Sequence, residues 1–106
     1  MRSPYTLGEW TVRAGHEEDF VAAWRQLAEW TADNIPGSSW AKLLQDRDAP
    51  DRFVSFGPWT DHEAIAAWRQ HPGFGERVAR IRELVEAFTP HDMVVATEVG
   101  PPTPAA

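Results

Sequence analysis

The chain has 106 residues and a formal net charge of −6. It is therefore one domain with one core, and it lacks the basic field that draws a protein to nucleic acid or to an anionic membrane. It contains no cysteine, which excludes disulfides, thiolate metal sites and cysteine nucleophiles. Six tryptophans, at 10, 24, 30, 40, 59 and 68, carry more aromatic surface than one small core uses, which leaves area for a flat-ligand pocket or a subunit interface.

Met1-Arg2-Ser3-Pro4-Tyr5 has no apolar leader core, and no apolar run approaches the roughly 18 residues of a membrane span, so a cytoplasmic chain is expected. Tyr5 to Arg13 reads as a strand apolar on both faces, with Tyr5 and Leu7 on one side and Trp10 and Val12 on the other. Glu9 is the exception; it is either an edge residue facing water or a buried acid. Ala14-Gly15 turns the chain, and Glu17, Glu18 and Asp19 place acids in a first helical turn, where the macrodipole favours them. Phe20, Ala23, Trp24, Leu27 and Thr31 then fall on one side at 100° per residue, opposite Glu18, Arg25, Glu29 and Asp33, as in a helix packed on a sheet. Asn34-Ile35-Pro36-Gly37 ends it.

Ser39 to Gln45 alternates as a strand, and the polar stretch Asp46 to Asp51 has hairpin length. Phe53-Val54-Ser55-Phe56 is the partner strand, closed by Gly57-Pro58. Thr60-Asp61-His62-Glu63 fits a capping box with Thr60 as cap. Ala64, Ile65 and Trp68 give the helix that follows one apolar stripe. His71-Pro72-Gly73 breaks it. Phe74, Val78, Ile81, Val85 and Phe88 recur at +4, +7, +11 and +14, which predicts a helix as far as Thr89-Pro90, with Glu76–Arg80 and Arg82–Glu86 as i,i+4 pairs on its wet side. Asp92 to Val99 is the last expected strand.

The order is β-α-β-β-α-β: an α+β, ferredoxin-like fold with a four-stranded antiparallel sheet and helices on one face. Residues 1–99 form the domain, and 100–106 a flexible proline-rich tail. Trp10, Val12, Trp40, Leu44, Phe53 and the apolar residues of Met93 to Val99 cannot all point at the helices. The second sheet face then needs cover, which a second copy supplies most simply by closing a homodimeric barrel.

With this topology, an aromatic first strand and the pattern Phe56, Trp59, Ala64, Trp68, His71-Pro72, Phe74, the chain resembles the antibiotic biosynthesis monooxygenase domain family of dimeric α+β barrels over about residues 5 to 99. The resemblance implies a homodimer with a pocket in each subunit between sheet and helices. It also implies one of three fates for that pocket: oxidation of anthrones or quinols by O₂ without a cofactor, heme cleavage, or no chemistry. The heme-cleaving branch needs an asparagine, a tryptophan and a histidine where this chain has Gly8, Trp68 and Val78. Only Trp68 matches, which disfavours heme cleavage, although His71 could ligate from a neighbouring turn.

No two of His16, His62, His71 and His91 are spaced as metal ligands on one helix, and His62-Glu63 opens like a zinc motif that Ala66 leaves incomplete. No metal and no cofactor is expected, nor a nucleotide or serine-hydrolase site, since no glycine-rich phosphate loop or nucleophile elbow occurs. A cofactor-free oxygenase needs a base, an apolar aromatic box and exclusion of water. His71 and His62 are the candidate bases, and His62 is otherwise a solvent-facing residue of a helix start. Trp24, Leu27, Trp59, Trp68 and Phe74 are the candidate substrate-binding residues, each of which also serves as core or interface. The expected function is a monooxygenase of a flat anthrone- or quinol-like substrate, with a homodimer, a small aromatic molecule and O₂ as partners. The alternative is a non-catalytic binding or structural dimer.

Overall fold

A computed structural model describes residues 3–100. The elements are β1 (Pro4–Val12), α1 (Glu17–Asn34), β2 (Lys42–Gln45), β3 (Arg52–Pro58), α2 (His62–Gln70), α3 (Pro72–Arg82) and β4 (Val85–Val94). The strands form one sheet in the order β2-β3-β1-β4, and every neighbouring pair is antiparallel. This is the expected ferredoxin-like α+β fold.

The alternation of β1 sorts its side chains cleanly. Trp10 and Val12 are buried, facing Phe20, Ala23 and Leu27 of α1 and Val78 and Ile81 of α3. A smaller cluster of Ile35, Trp59 and Ile65 closes the end near α2. Tyr5, Leu7 and Glu9 point the other way, opposite Pro58, Phe56 and Val54 of β3. Among the described residues no helix covers that face. Trp40 packs edge-on against Tyr5 and Phe56 there, with centroids 6.2 and 5.8 Å apart, and Leu44 and Met93 are 52% and 48% exposed. Phe53, Trp10 and Val12 all point at the helices, so the uncovered face is built from fewer of the apolar residues than the sequence suggested.

The largest departure concerns the third helix. It stops at Arg82, and Val85 and Phe88, read from their spacing as helical, belong to β4. The reason is a β-bulge: Val12 pairs with Val85, yet Thr11 pairs with Ala87 and Trp10 with Phe88, so Glu86 is an extra residue. An inserted residue brings positions i and i+3 to the same side of a strand, and that spacing imitates a helix. Val85 and Phe88 thus face inward together, Phe88 stacking on Trp10 at 3.9 Å and 18°. The expected Arg82–Glu86 helical pair has no helix to stand on, and among the described residues no ion pair joins Glu76 to Arg80.

Pro90 sits inside β4 opposite Gly8 instead of ending a helix. β4 is an edge strand, where a missing N–H costs no ladder bond. The last strand accordingly ends at Val94, short of the expected Val99. Val95 N–H extends its pairing by one bond to Ser3 O, at 3.1 Å. β2 covers only Lys42–Gln45, with Ser38 bridging separately to Trp59. Asp61, not Thr60, caps α2: its carboxylate accepts from Ala64 N–H at 2.8 Å, while Thr60 N–H donates to Gly37 O and is lost to a capping box. The proline-rich tail lies, beyond Gly100, outside the described residues.

Candidate active site

Between the inner sheet face and the helices lies a cavity of about 310 Å³, within the range of small-ligand pockets. Its floor depends on Gly8. A Cβ there would come within 2.9 Å of Ser55 Oγ and 3.0 Å of the Phe88 ring and Trp10 Nε1, so any larger residue would fill the space that the strand leaves open.

Five of the six tryptophans, Trp10, Trp24, Trp40, Trp59 and Trp68, line this space. Three of them are locked by their own N–H groups. Trp10 Nε1 donates to Ser55 Oγ at 2.9 Å, Trp59 Nε1 to Thr6 Oγ1 at 3.0 Å, and Trp68 Nε1 to Thr31 Oγ1 at 2.9 Å. A buried indole needs such a partner, and having it fixes the ring plane. Trp68 is further wedged between Trp59, at 4.9 Å, and Phe74, at 4.5 Å. The hydroxyls differ in what they have left. Thr31 passes its proton to Leu27 O at 2.7 Å, whereas Thr6 and Ser55 accept from indoles and donate to no partner among the described residues. Each can therefore offer an O–H to a ligand oxygen.

Arg69 and Arg82 are the ionisable side chains of the lining. Arg69 leaves α2 one residue after Trp68 and forks onto Asp92 of β4, with Nη2 2.6 Å from Oδ1 and Nη1 3.1 Å from Oδ2. The hydrogen bonds from Arg69, and then its charge, hold the Asp92 carboxyl below the usual aspartate range; the same bonds raise the Arg69 guanidinium above its ordinary value.

Of the expected site residues, Trp24, Leu27, Trp59, Trp68 and Phe74 all line the cavity. The two histidines do not. His71 joins the helices: its Nδ1 accepts from Gly73 N–H at 2.9 Å as the cap of α3, and its ring meets Trp30 edge-on at 4.9 Å. His62 is the first, exposed residue of α2. Glu9 is exposed but lies on a central strand, facing the open side of the sheet, with Oε2 2.7 Å from His91 Nε2. Among the described residues no three His, Asp or Glu side chains gather as metal ligands, and no helix is long and apolar enough to cross a membrane. Arg69, Asp92, Thr6 and Ser55 were not singled out by sequence. The signal for Ser55 and Thr6 was their inward parity on strands that also carry the tryptophans.

Residues 5–80 match the model of a family described as antibiotic biosynthesis monooxygenase. The chain belongs to that family. A curated relative from Streptomyces nogalater, deoxynogalonate monooxygenase, is 28% identical over 95 residues, spanning 90% of this chain and 77% of its own. Among solved structures, a variant of SnoaB, described as a cofactor-independent oxygenase from Streptomyces nogalater, superposes with a TM-score of 0.85 at 24% identity, covering 92% of this chain and 96% of that one. A conserved protein from Methanosarcina mazei Go1 gives 0.79 at 15% identity, over 88% and 92% of the two chains. The last two likenesses speak to the fold, and the family assignment rests on the first match.

Proposed function

We propose that this family member is a cofactor-independent monooxygenase of a flat, anthrone- or quinol-like aromatic, working in the cytoplasm as a homodimer whose second copy covers the open sheet face. The observation that carries this reading is the cavity wall: indole and phenyl rings on most sides, with cations as its ionisable groups. Aromatic rings accept a planar polycycle by stacking. Arginine and free hydroxyls favour the anion that such a donor becomes when it loses a proton. The names carried by the relatives from Streptomyces nogalater support the same reaction class.

In this scheme an activated ring CH₂ loses a proton to give an enolate. The enolate carbon bonds to O₂, and the resulting hydroperoxide loses water to leave a carbonyl. One oxygen atom enters the product and the other leaves as water, and O₂ takes up the electrons of the oxidised C–H bonds. The lining holds neither imidazole nor carboxylate, so the protein acidifies the bound donor by stabilising its anion, and the proton leaves to water. His71 and His62, expected as bases, have no part in that step.

The test is oxygen uptake by metal-stripped protein with a panel of anthrones and quinols. Uptake should survive metal removal and His71→Ala. It should fall about three- to tenfold in Trp68→Phe, which keeps a ring but loses the bond to Thr31. Binding without uptake for every donor would instead make the protein a non-catalytic binding dimer.

A further inference from the structure

We propose that Ser55 is the catalytic hydrogen-bond donor of the cavity, holding the oxygen on which charge collects as the aromatic donor loses its proton, and that Trp10 is the positioning residue that aims it. This rests on the reading of the cavity as a cofactor-independent oxygenase site. It deepens that reading by giving the anion one named partner among the polar groups of the wall.

Three observations carry it. Thr31 and Ser55, 7% and 9% exposed, are the buried polar residues among those described, and they treat their hydroxyl protons differently. Thr31 accepts from Trp68 Nε1 and donates to Leu27 O, which satisfies it. Ser55 accepts from Trp10 Nε1, donates to no partner among the described residues, and lines the cavity. A buried O–H without an acceptor is costly, and the oxygen of a bound ligand is the acceptor this position lacks. Thr6, the other free hydroxyl of the wall, is only half-buried, where water can take its proton. Second, the approach to Ser55 Oγ is kept open. Gly8 stands opposite Ser55 in the register of β1 and β3, and a Cβ on it would lie 2.9 Å from Oγ. Third, Ser55 is aimed by a rigid partner. Trp10 is buried and stacks on Phe88 at 3.9 Å, so its N–H fixes one lone pair of Oγ and with it the arc left to the O–H.

The proton of Ser55 is shared, not transferred. As the donor gives its own proton to water, negative charge moves onto the ligand's oxygen, and the Ser55 O–H, which stays on serine, tightens onto it. Hydrogen bonds to charged groups are stronger than those to neutral ones, so the contact favours the anion over the neutral donor and lowers the barrier to the enolate that meets O₂. A hydroxyl that already accepts one hydrogen bond donates a stronger one, and that is how Trp10 acts through Ser55. Arg69 and Arg82 add charge to the wall, but Arg69 is engaged with Asp92, whereas the Ser55 proton is free.

The probe is 2-naphthol, a flat phenol with one oxygen whose anion absorbs to the red of tryptophan, titrated by absorbance in anaerobic buffer with protein in excess. Bound to the wild type, it should ionise about one to two pH units lower than in water. Ser55→Ala should make the bound probe about tenfold less acidic, while Ser55→Thr, which restores a hydroxyl, should keep the wild-type value. Trp10→Phe, which keeps a ring and loses the N–H, should have a smaller effect, about threefold. 2-Methylnaphthalene, which has no oxygen, should quench the tryptophan fluorescence of the wild type and of Ser55→Ala with equal affinity, which reports an intact cavity separately from the acidity. Ser55→Cys, a much poorer donor, should match the alanine variant and replaces it if that variant does not fold. A probe equally acidified with and without the Ser55 hydroxyl overturns the proposal and leaves the anion-stabilising cavity standing; a loss confined to Thr6→Val overturns it by moving the donor to β1. Naphthol bound by the wild type at its free acidity removes the anion-stabilising reading together with the proposal, and binding of neither probe removes the aromatic cavity itself.

Discussion

The two faces of β1 solve opposite problems with the same kind of residue. On the inner face, Trp10, Trp59 and Trp68 each spend the indole N–H on a serine or threonine hydroxyl, so these three rings are fixed and a space stays open between them. On the outer face, Tyr5, Trp40 and Phe56 pack edge to edge beside exposed Leu44 and Met93, near the hydrogen-bonded contact of Glu9 with His91. Aromatic surface held open by hydrogen bonds makes a pocket; aromatic surface left uncovered beside aliphatic residues makes a docking face. The difference lies in which neighbours satisfy the rings, and substitutions on each face should fail in different ways.

The largest expected effect is on the outer face. In the proposed homodimer, Met93→Glu sets an unpaired charge on both sides of one interface, at a cost of about 2–5 kcal/mol, or roughly thirtyfold or more in the dissociation constant. Light scattering at micromolar concentration should show a dimer for the wild type and a single-chain mass for this variant. Val21→Glu, at a comparably exposed α1 position, 43% against 48% for Met93, should leave the mass unchanged. A wild type that is itself monomeric would remove the dimer from the proposal. On the inner face, Gly8→Ala should leave the mass alone and close the floor. The added methyl group meets Ser55 Oγ and the Trp10 indole, so the bond between them must shift; overpacking of this kind costs about 1–3 kcal/mol. Loss of anthraquinone binding with little change in association would separate the two faces cleanly.

Those contrasts also show what the sequence could reveal. The parity of β1, the stripe of α1 and five wall residues were legible because side-chain periodicity reports directly on which way a residue points. The α3–β4 junction was not: the extra residue Glu86 restores a spacing of three between Val85 and Phe88, and periodicity alone reads that as helix. Misplacing that strand hid Asp92 from the site, since only its true register, opposite Thr6, brings it to Arg69. The two histidines lie outside the cavity lining for another reason. Their chemistry near neutral pH suits a base, but position decides, and His71 is committed to a backbone N–H at a helix start.

The smallest effect concerns the Arg69–Asp92 pair between α2 and β4. Asp92 is held below the usual aspartate range by Arg69, so its carboxylate binds fewer protons in the folded chain than in the unfolded one. Stability from that pair is then complete above the unfolded value of about 3.9 and is lost as pH falls through the lower, folded value. With both side chains more than a third exposed, the contribution should stay under about 1 kcal/mol. Wild type and Asp92→Asn should therefore differ slightly in urea midpoint at pH 7 and converge in acid, and added salt should shrink the neutral-pH gap. A gap that persists unchanged below pH 3 would mean that Asp92 stabilises the fold by something other than its charge.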